Sequence, residues 1–389
     1  MSSPIGSRWN RLSRRGRNMV RMRTPTVSRR RFLGTIGATA IGSGTPARAA
    51  ASQPAPLAPA GSLTDIGGVR VGHFTDARRP TGCTAILFDK PATAGADYDG
   101  SAPAESLGVM LQPVSPLEQI HGIVFTGGGP MGLGAAAGVV RYLEEQKIGY
   151  DWGVPNVLVP IVVGAAIDDL AVGDGRIRVG PDEAYRACQL ATAAAVAEGS
   201  VGAGAGATVG KMFVGRGMPG MKGGVGSASV RLGDVVIAAL VVVNAAGDIV
   251  DWRRGTIVAG ARTADGRDFA RSVDVLRRDL ETRPAANAAI ADAPLRATTL
   301  AAVGTNVALT KTQLTKLAMM ANTGAARAIN PYHTQGDGDQ VIAISTGLSN
   351  ASWSLTALGA IAAEVLADAI LRAVRTATGT PGWAAVREL

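Results

Sequence analysis

Thr298 has the residue type and the setting for nucleophilic chemistry. It follows a long polar and charged segment, residues 253–296, and it opens an alternating apolar run that predicts a strand entering the core. If the bond between Ala297 and Thr298 were cut, Thr298 would carry both a nucleophilic Oγ and an α-amine. An α-amine titrates at about pH 8, so it can act as a base near neutral pH. Threonine is also common at the start of a strand because of its high β-propensity. The pattern alone therefore leaves open whether Thr298 is a nucleophile or an ordinary strand residue.

Polar residues near predicted strand ends are further candidates for this chemistry. Asp337 and Asp339 flank Gly338 just before a predicted strand over residues 341–345. Such a pair is typical of a turn, and in a partly buried site it can hold a charged amine or orient a nucleophile. A calcium loop would need more oxygen ligands at regular steps, which the sequence lacks. Asn244 ends an apolar strand, where its amide can donate to an oxyanion or simply begin a turn.

Lys211 ends a glycine-rich stretch, residues 202–211, which invites comparison with phosphate-binding loops. The phosphate-loop pattern would need glycine where Ala205 stands and Ser or Thr where Met212 stands, and the dinucleotide fingerprint also fails on spacing. The spacing therefore favours a close-packed turn with Lys211 in solvent. The alternative is a lysine that this close-packing backbone delivers into a site.

The segments that must position these residues alternate in type. The predicted strands are residues 69–73, 82–88, 122–126, 227–232, 235–244 and 341–345, and the predicted helices are residues 131–146, 182–198, 309–329 and 353–376. The order lacks the regular βαβ alternation of a Rossmann fold. The sequence therefore predicts a layered α/β domain with mixed or antiparallel sheets.

Composition indicates a globular chain with a large core. The chain has 389 residues, 47% of them hydrophobic and only 18% charged, which excludes a disordered chain. The net charge of +9 is misleading, because 11 arginines and no acidic residue lie in residues 1–50, and the remainder holds 28 basic against 30 acidic residues. Nucleic-acid binding is therefore not predicted for the folded part, since it requires clustered basic residues.

The first 50 residues have the order of a twin-arginine signal peptide. Arg29 and Arg30 precede a short apolar run over residues 35–44, and an Ala-x-Ala site follows near Ala49. The run is too short to span a bilayer. The alternative is a basic arm that binds RNA or lipid. We expect export to the periplasm or the medium, no membrane attachment afterwards, and a Pro/Ala linker over residues 51–61.

Cysteine and histidine usage predicts neither a metal site nor a cofactor. Cys83 and Cys188 are the only cysteines, and their separation leaves a disulfide and two buried thiols equally open. The three histidines and two cysteines form no cluster at metal-ligand spacing.

Several motifs, in order along the chain, resemble the L-aminopeptidase/D-esterase family, which includes the β-aminopeptidases and the nylon-oligomer hydrolase. They are Leu63-Thr64-Asp65-Ile66, Gly68-Val69-Arg70-Val71-Gly72-His73, Thr81-Gly82-Cys83-Thr84, Thr126-Gly127-Gly128, Gly132-Leu133, Arg141-Tyr142-Leu143-Glu144-Glu145, Arg327-Ala328-Ile329, Pro331 and His333-Thr334. The resemblance covers residues 62–374, nearly the whole chain after the linker.

The resemblance implies a fold and a mode of activation. Members of this family are made as one precursor that cuts itself ahead of a Ser or Thr, and the two pieces stay together in one αββα sandwich of N-terminal-nucleophile type. The matching cut falls between Ala297 and Thr298, giving an α chain of residues 51–297 and a β chain of residues 298–389 within a single domain over residues 62–389. A homo-oligomer of such αβ units is a further expectation.

The resemblance also implies site residues. The nylon-oligomer hydrolase has a lysine after the glycine-rich stretch, an asparagine ending a strand, and two aspartates around a glycine. The matching positions are Lys211, Asn244, Asp337 and Asp339, and they stand with Thr298 as the implied catalytic residues.

Two positions depart from the family pattern. Relatives commonly have Asn before the cut, and this chain has Ala297. Attack by Oγ on the preceding carbonyl does not need the Asn side chain, so cleavage stays chemically feasible. A tyrosine that some relatives place near the oxyanion corresponds to Met131 here, which removes one donor.

We therefore predict an exported, self-processing aminopeptidase or amidohydrolase that cleaves amide or ester bonds of small peptide or aminoacyl substrates. In this hypothesis Asn244 steadies the oxyanion, Lys211 lowers the pKa of the Thr298 amine, and Asp337 and Asp339 orient that amine or bind the substrate's amino group. One rival hypothesis is an inactive exported binding protein, suggested by Ala297 and Met131. A nucleotide-binding enzyme that uses residues 202–211 is disfavoured on spacing.

Overall fold

A computed structural model describes residues 61–282 and 297–389. The predicted signal peptide and nearly all of the predicted linker lie outside the described residues, as do residues 283–296 ahead of the predicted cut. Among the helices in the described ranges, none is both long enough and apolar enough to cross a membrane.

The described residues form strands and helices in mixed order. The strands are β1 Val69–Thr75, β2 Gly82–Asp97, β3 Glu105–Ser106, β4 Gln119–Thr126, β5 Tyr150–Asp151, β6 Leu158–Val159, β7 Val162–Ala166, β8 Thr208–Val209, β9 Met221–Lys222, β10 Gly224–Leu232, β11 Val235–Asn244, β12 Asp248–Asp251, β13 Thr256–Ala259, β14 Thr298–Val307, β15 Ile329–Asn330 and β16 Gln340–Ser349. The α-helices are α1 Ala136–Glu145, α2 Pro181–Gln189, α3 Ser272–Thr282, α4 Lys311–Ala328 and α5 Leu355–Thr376.

The main sheet has nine strands and folds over at the long strand β2. Its order is β10-β11-β14-β16-β2-β4-β7-β3, and β1 also pairs with β2. The first half of β2 pairs with β1, whereas residues 93–97 pair with β16. The register between β2 and β4 shifts between Leu87 and Ala92. Such irregularities bend a strand, and here the two halves of β2 serve two stacked sheet layers.

Three buried clusters separate four layers. One fills the space between the two sheet layers, with Ile86 and Phe125 on one side and Leu240 and Ile342 on the other. A second joins β11, β14 and β16 to α4 and α5, and a third joins β2, β4 and β7 to α1 and α2. Alternate residues of each strand face opposite sides, so one strand serves two cores. The predicted αββα sandwich with mixed sheets is confirmed.

Most predicted elements are present, with two boundary errors. The hairpin around Gly233 and the two helices that follow β14 are confirmed. The helix predicted to end at Glu198 ends at Gln189, because Thr192 exchanges backbone hydrogen bonds with Val71 of β1. The helix predicted from Met131 begins as a 3-10 turn over Gly129–Ala135. Strand pairing ended the helix early at Gln189, and glycines at the start of the other helix favoured a 3-10 turn, although the helical periodicity continued through both segments.

The two cysteines are free thiols in the core. Both Cys83 and Cys188 are fully buried, and neither forms a disulfide. Burial raises the pKa of Cys188 to about 12, and burial likewise raises the pKa of Cys83. Of the two alternatives that the sequence left open, a disulfide and two buried thiols, the structure therefore has the two buried thiols.

Helices α4 and α5 approach each other so closely that a side chain is excluded at the crossing. A Cβ atom on Gly324 of α4 would lie 1.9 Å from the carbonyl oxygen of Ala363 in α5. Because that neighbour is backbone, it cannot swing away, and a methyl group there requires one helix to shift.

We expect Gly324→Ala to lower the free energy of unfolding by about 1–3 kcal/mol, because the added methyl overpacks the helix crossing. Gly134→Ala is the matched control, since a Cβ there meets nothing within 4 Å, and it should change stability by less than about 0.5 kcal/mol. Chemical denaturation followed by circular dichroism measures both. Equal effects of the two substitutions would contradict the close crossing.

Candidate active site

Strand pairing sets Thr298 and Asn244 side by side. Thr298 opens β14, and it lies directly opposite Asn244 at the end of β11. Residues directly opposite in an antiparallel pair project their side chains to the same face. That face is the one from which Leu300 and Val242 enter the core between the sheet layers. Both polar side chains therefore lie at one end of the space between the layers.

The carbonyl group ahead of Thr298 is held by two donors. The backbone N–H of Gly338 donates to the oxygen of Ala297 at 3.1 Å. The hydroxyl of Thr298 donates to the same oxygen at 2.5 Å. Both Ala297 and Thr298 are buried. An amide donor on a carbonyl oxygen withdraws electron density and favours attack on its carbon, as oxyanion donors do.

The two predicted carboxylates flank this bond from the segment that leads into β16. Asp339 accepts a hydrogen bond from the backbone N–H of Thr299 at 2.6 Å. Asp337 accepts from the backbone N–H and the hydroxyl of Thr334, at 2.8 and 2.5 Å, and its backbone pairs with Ala297. Burial and the nearby charge of Asp339 raise the pKa of Asp337 to about 6. The pair therefore holds a carboxyl group that titrates near neutral pH.

Lys211 and Asn244 form a second arm of the site. The ammonium of Lys211 donates to Oδ1 of Asn244 at 2.5 Å, and the backbone N–H of Thr208 donates to the same oxygen at 3.0 Å. Nδ2 of Asn244 donates to the carbonyl oxygen of Asp168 at 3.3 Å. Since Lys211 and the amide of Thr208 only donate, the oxygen of Asn244 must face them. The positive charge of Lys211 lowers the pKa of Asp337, so the two arms face one site.

The placement of Lys211 corrects the interpretation that favoured a solvated lysine. Its ammonium is bound inside the site, because the chain turns at Gly210 with φ of +63° and passes against residue 260. A Cβ on Gly210 would lie 2.1 Å from the amide nitrogen of Ala261. Only glycine fits both requirements. The glycine-rich stretch thus delivers a lysine through close packing.

Sequence reasoning missed part of the network around Asp339. His333, with its backbone in the left-handed region, contacts Asp339 through both its backbone N–H and Nδ1. Asn322 on α4 joins Asp97 to the ring of His333. His333 lies in the quoted family stretch, and its proximity to Asp339 in the sequence was the available signal. Asp97 and Asn322 lie too far away along the chain to be inferred.

Met131 is 56% exposed on the 3-10 turn that follows β4. The resemblance implies a tyrosine hydroxyl at this position, and Met131 offers no hydrogen-bond donor in its place.

Among the described residues, no group of three or more His, Cys, Asp or Glu side chains has a geometry that could hold a metal ion.

Comparisons with known proteins agree on one family. The sequence model of peptidase family S58 matches residues 61–387. The chain is 35% identical over 361 residues to an uncharacterized aminopeptidase of Mycobacterium leprae, covering 84% of this chain and 93% of that protein. It is 33% identical over 324 residues to the 6-aminohexanoate-oligomer endohydrolase of Paenarthrobacter ureafaciens, covering 79% and 84%.

A solved structure shares the fold. The L-aminopeptidase D-Ala-esterase/amidase from Ochrobactrum anthropi, described as a variant of the Ntn hydrolase fold, superposes with a TM-score of 0.59 at 21% identity. The match covers 84% of this chain and 91% of that one.

The amide of Asn244 should be necessary for the stability of this site. We expect Asn244→Ala to lower the free energy of unfolding by about 2–3 kcal/mol, because it leaves a lysine ammonium, an amide and a carbonyl group without their buried partner. Chemical denaturation of chains held uncut by Thr298→Ala measures this effect.

Asn306→Ala is the control for that measurement. Asn306 on β14 also bridges two backbone groups, because its Oδ1 accepts from the N–H of Val236 and its Nδ2 donates to the carbonyl oxygen of Asp234. It is half-buried, so water replaces the lost contacts. We expect a loss below about 1 kcal/mol. If Asn306→Ala were as damaging as Asn244→Ala, the buried arm would have no special role in stability.

Proposed function

The chain belongs to peptidase family S58 and is a hydrolase of the aminopeptidase and amidohydrolase type, and we propose that Thr298 becomes its N-terminal nucleophile after self-cleavage. The observation that carries the proposal is the arrangement at one peptide bond. The hydroxyl of Thr298 lies 2.5 Å from the carbonyl oxygen of Ala297, and the amide of Gly338 already binds that oxygen. A hydroxyl nucleophile and an oxyanion donor thus meet at the bond to be cut.

Self-cleavage proceeds by an acyl shift. Oγ of Thr298 attacks the carbonyl carbon of Ala297, and the N–H of Gly338 stabilises the negative charge that develops on the oxygen. The peptide nitrogen takes the proton that Oγ gives up and leaves as the α-amine of Thr298, and an ester remains between Ala297 and Oγ. Water hydrolyses the ester, which frees the carboxylate of Ala297 and the hydroxyl of Thr298. No side chain of Ala297 takes part.

The freed α-amine then serves as the base in turnover. It accepts the proton of Oγ as Oγ attacks the acyl carbon of the substrate, and it returns the proton to the leaving amine or alcohol. Water hydrolyses the acyl-enzyme. Lys211, held by Asn244 next to Thr298, disfavours a positive charge on the amine and keeps it unprotonated near neutral pH. The N–H of Gly338 and the amide of Asn244 are the proposed oxyanion donors.

The charges around Thr298 favour substrates that carry an amino group. Asp337 and Asp339 lie beside the bond to be cut, and the first of them ionises near neutral pH. A carboxylate pair beside the acyl site can bind the ammonium of an aminoacyl amide or ester. The aminopeptidase name of the Mycobacterium leprae relative agrees with this substrate class.

The proposal extends to processing and assembly. We propose that residues 1–50 direct export as a twin-arginine leader, and that the two pieces of the cut chain remain together and associate with further copies. The supporting observations are the arginine pair and cleavage site in the sequence, and the position of β14 inside the sheet between β11 and β16.

Replacing the nucleophile should abolish both the cut and the activity. Thr298→Ala removes Oγ, so the purified protein should give one band on a denaturing gel, whereas the wild-type protein gives two. Thr298→Ser keeps a hydroxyl and should still be cut. Intact mass spectrometry measures the cut, and hydrolysis of aminoacyl p-nitroanilides measures turnover. A wild-type chain that is continuous through residues 297 and 298 and still active would contradict the mechanism.

The ionisation of Asp337 should appear in the pH dependence of kcat/KM. Because burial and Asp339 raise its pKa to about 6, the ionised form is lost as the pH falls through that value. We expect kcat/KM to fall about tenfold per pH unit below this midpoint. In Asp337→Asn the plateau should be lower, and the part of the acid limb that reports Asp337 should disappear, so that only protonation of the Thr298 α-amine still lowers kcat/KM. An unchanged acid limb in that variant would contradict the role of Asp337.

A further inference from the structure

His333 and Asp339 are joined by two hydrogen bonds to a single oxygen. The backbone N–H of His333 donates to Oδ2 of Asp339 at 3.3 Å, and Nδ1 of its ring lies 3.2 Å from the same oxygen. The other oxygen of Asp339 accepts the backbone N–H of Thr299 at 2.6 Å. One fully buried carboxylate therefore connects this imidazole to the residue that follows Thr298.

The backbone of His333 is held in an unusual conformation to make these contacts. Its φ of +52° lies in the left-handed region, which residues other than glycine adopt rarely and Asn, Asp and His adopt most readily. This conformation directs the backbone N–H and the ring to one side, where Asp339 receives both. Such conformations persist where surrounding contacts hold them, and they cluster at functional sites.

The far side of the ring reaches the surface. Nε2 of His333 lies 3.2 Å from Nδ2 of Asn322 and 3.8 Å from Oδ2 of Asp99. The side chain of Asp99 is 60% exposed, whereas that of Asp339 is 1% exposed. The ring of His333 thus lies between the solvent-exposed carboxylate of Asp99 and the buried carboxylate of Asp339.

The groups that face His333 are mostly acidic. Asp97 and Asp99 face it from the end of β2, Asp337 and Asp339 from the segment before β16, and Tyr332 lies next to it in the chain, while α4 presents the uncharged Asn322. Burial lowers the pKa of His333, but the hydrogen bond and charge of Asp339, with the charges of Asp99 and Asp97, outweigh burial and raise the pKa above its usual value. The ring therefore holds a second proton to a higher pH than it would without these carboxylates.

We propose that His333 is a positioning residue for the hydrolysis proposed above: its ring and backbone N–H fix Asp339 against Thr299, and the ring, when protonated, sets a positive charge against the carboxylate pair. Two adjacent buried carboxylates repel each other, and a cation in contact with one of them offsets that repulsion. Lys211 acts on the Asp337 side, and His333 acts on the Asp339 side. This role rests on the proposed function.

Two substitutions separate the position of the ring from its charge. His333→Asn keeps a donor, because Nδ2 of Asn takes the place of Nδ1, and Asn tolerates positive φ, but it cannot ionise. His333→Phe keeps a ring against Tyr332, whose centroid is 3.8 Å away, but it has neither donor nor charge. Asp182→Asn, which removes an exposed carboxylate paired with Arg141 on the outer helix layer, is the control for a change of net charge.

The measurement is the pH profile of kcat/KM for an aminoacyl p-nitroanilide, with self-cleavage followed by intact mass. His333→Asn should keep the plateau within about threefold of wild type and move the acid limb upward by about one pH unit, because a neutral residue no longer offsets the repulsion of the pair. His333→Phe should move the limb equally and also lower the plateau by about tenfold or more, because Asp339 loses the side-chain donor and keeps only backbone donors. Asp182→Asn should leave the profile unchanged.

The outcomes distinguish the two proposals. If both His333 variants lowered thermal stability but left the acid limb where it is in wild type, the residue would be merely structural and this inference would be overturned. If the wild-type protein itself stayed uncut and inactive, the proposed function would be overturned, and the inference about His333 would fall with it. An active wild type with a shifted limb in both variants supports the inference.

Discussion

The register of β14 between β11 and β16 is the constraint on which the site depends. It sets Thr298 opposite Asn244 on one side and brings the segment with Gly338 against the carbonyl of Ala297 on the other. A shift of one residue would turn the hydroxyl of Thr298 to the opposite face, towards the helices. Apolar alternation along β14 resists that shift, because each face of the strand enters a different core.

Charge balance is the second organising feature. The region around Thr298 gathers buried carboxylates from two separated parts of the chain and opposes them with Lys211 on one side and His333 on the other. Buried charges are stable only when they are paired and hydrogen-bonded. The network therefore requires several segments to meet at once, which explains why glycine occurs where the backbone passes closest, as at Gly210 and Gly338.

The sequence predicted the layers, the hairpin and the helices after β14, because periodicity and turn residues are local signals. It also located Thr298 at a strand start, and resemblance supplied Lys211, Asn244 and the carboxylate pair. Spacing alone could not predict that Lys211 would be bound, since that contact depends on the path of the chain past Ala261. The helix boundary at Gln189 failed for a similar reason, because Thr192 pairs with a distant strand.

The interior position of β14 has a consequence for the lifetime of the folded molecule. A break ahead of Thr298 leaves the hydrogen bonds of β14 to β11 and β16 intact, together with the helix contacts of α4 and α5. Melting of the cut protein, however, would release two separate polypeptides, and recovery would need a bimolecular encounter between them. The lifetime of the folded protein would then be set by its unfolding rate, and at low protein concentration each unfolding event would be irreversible.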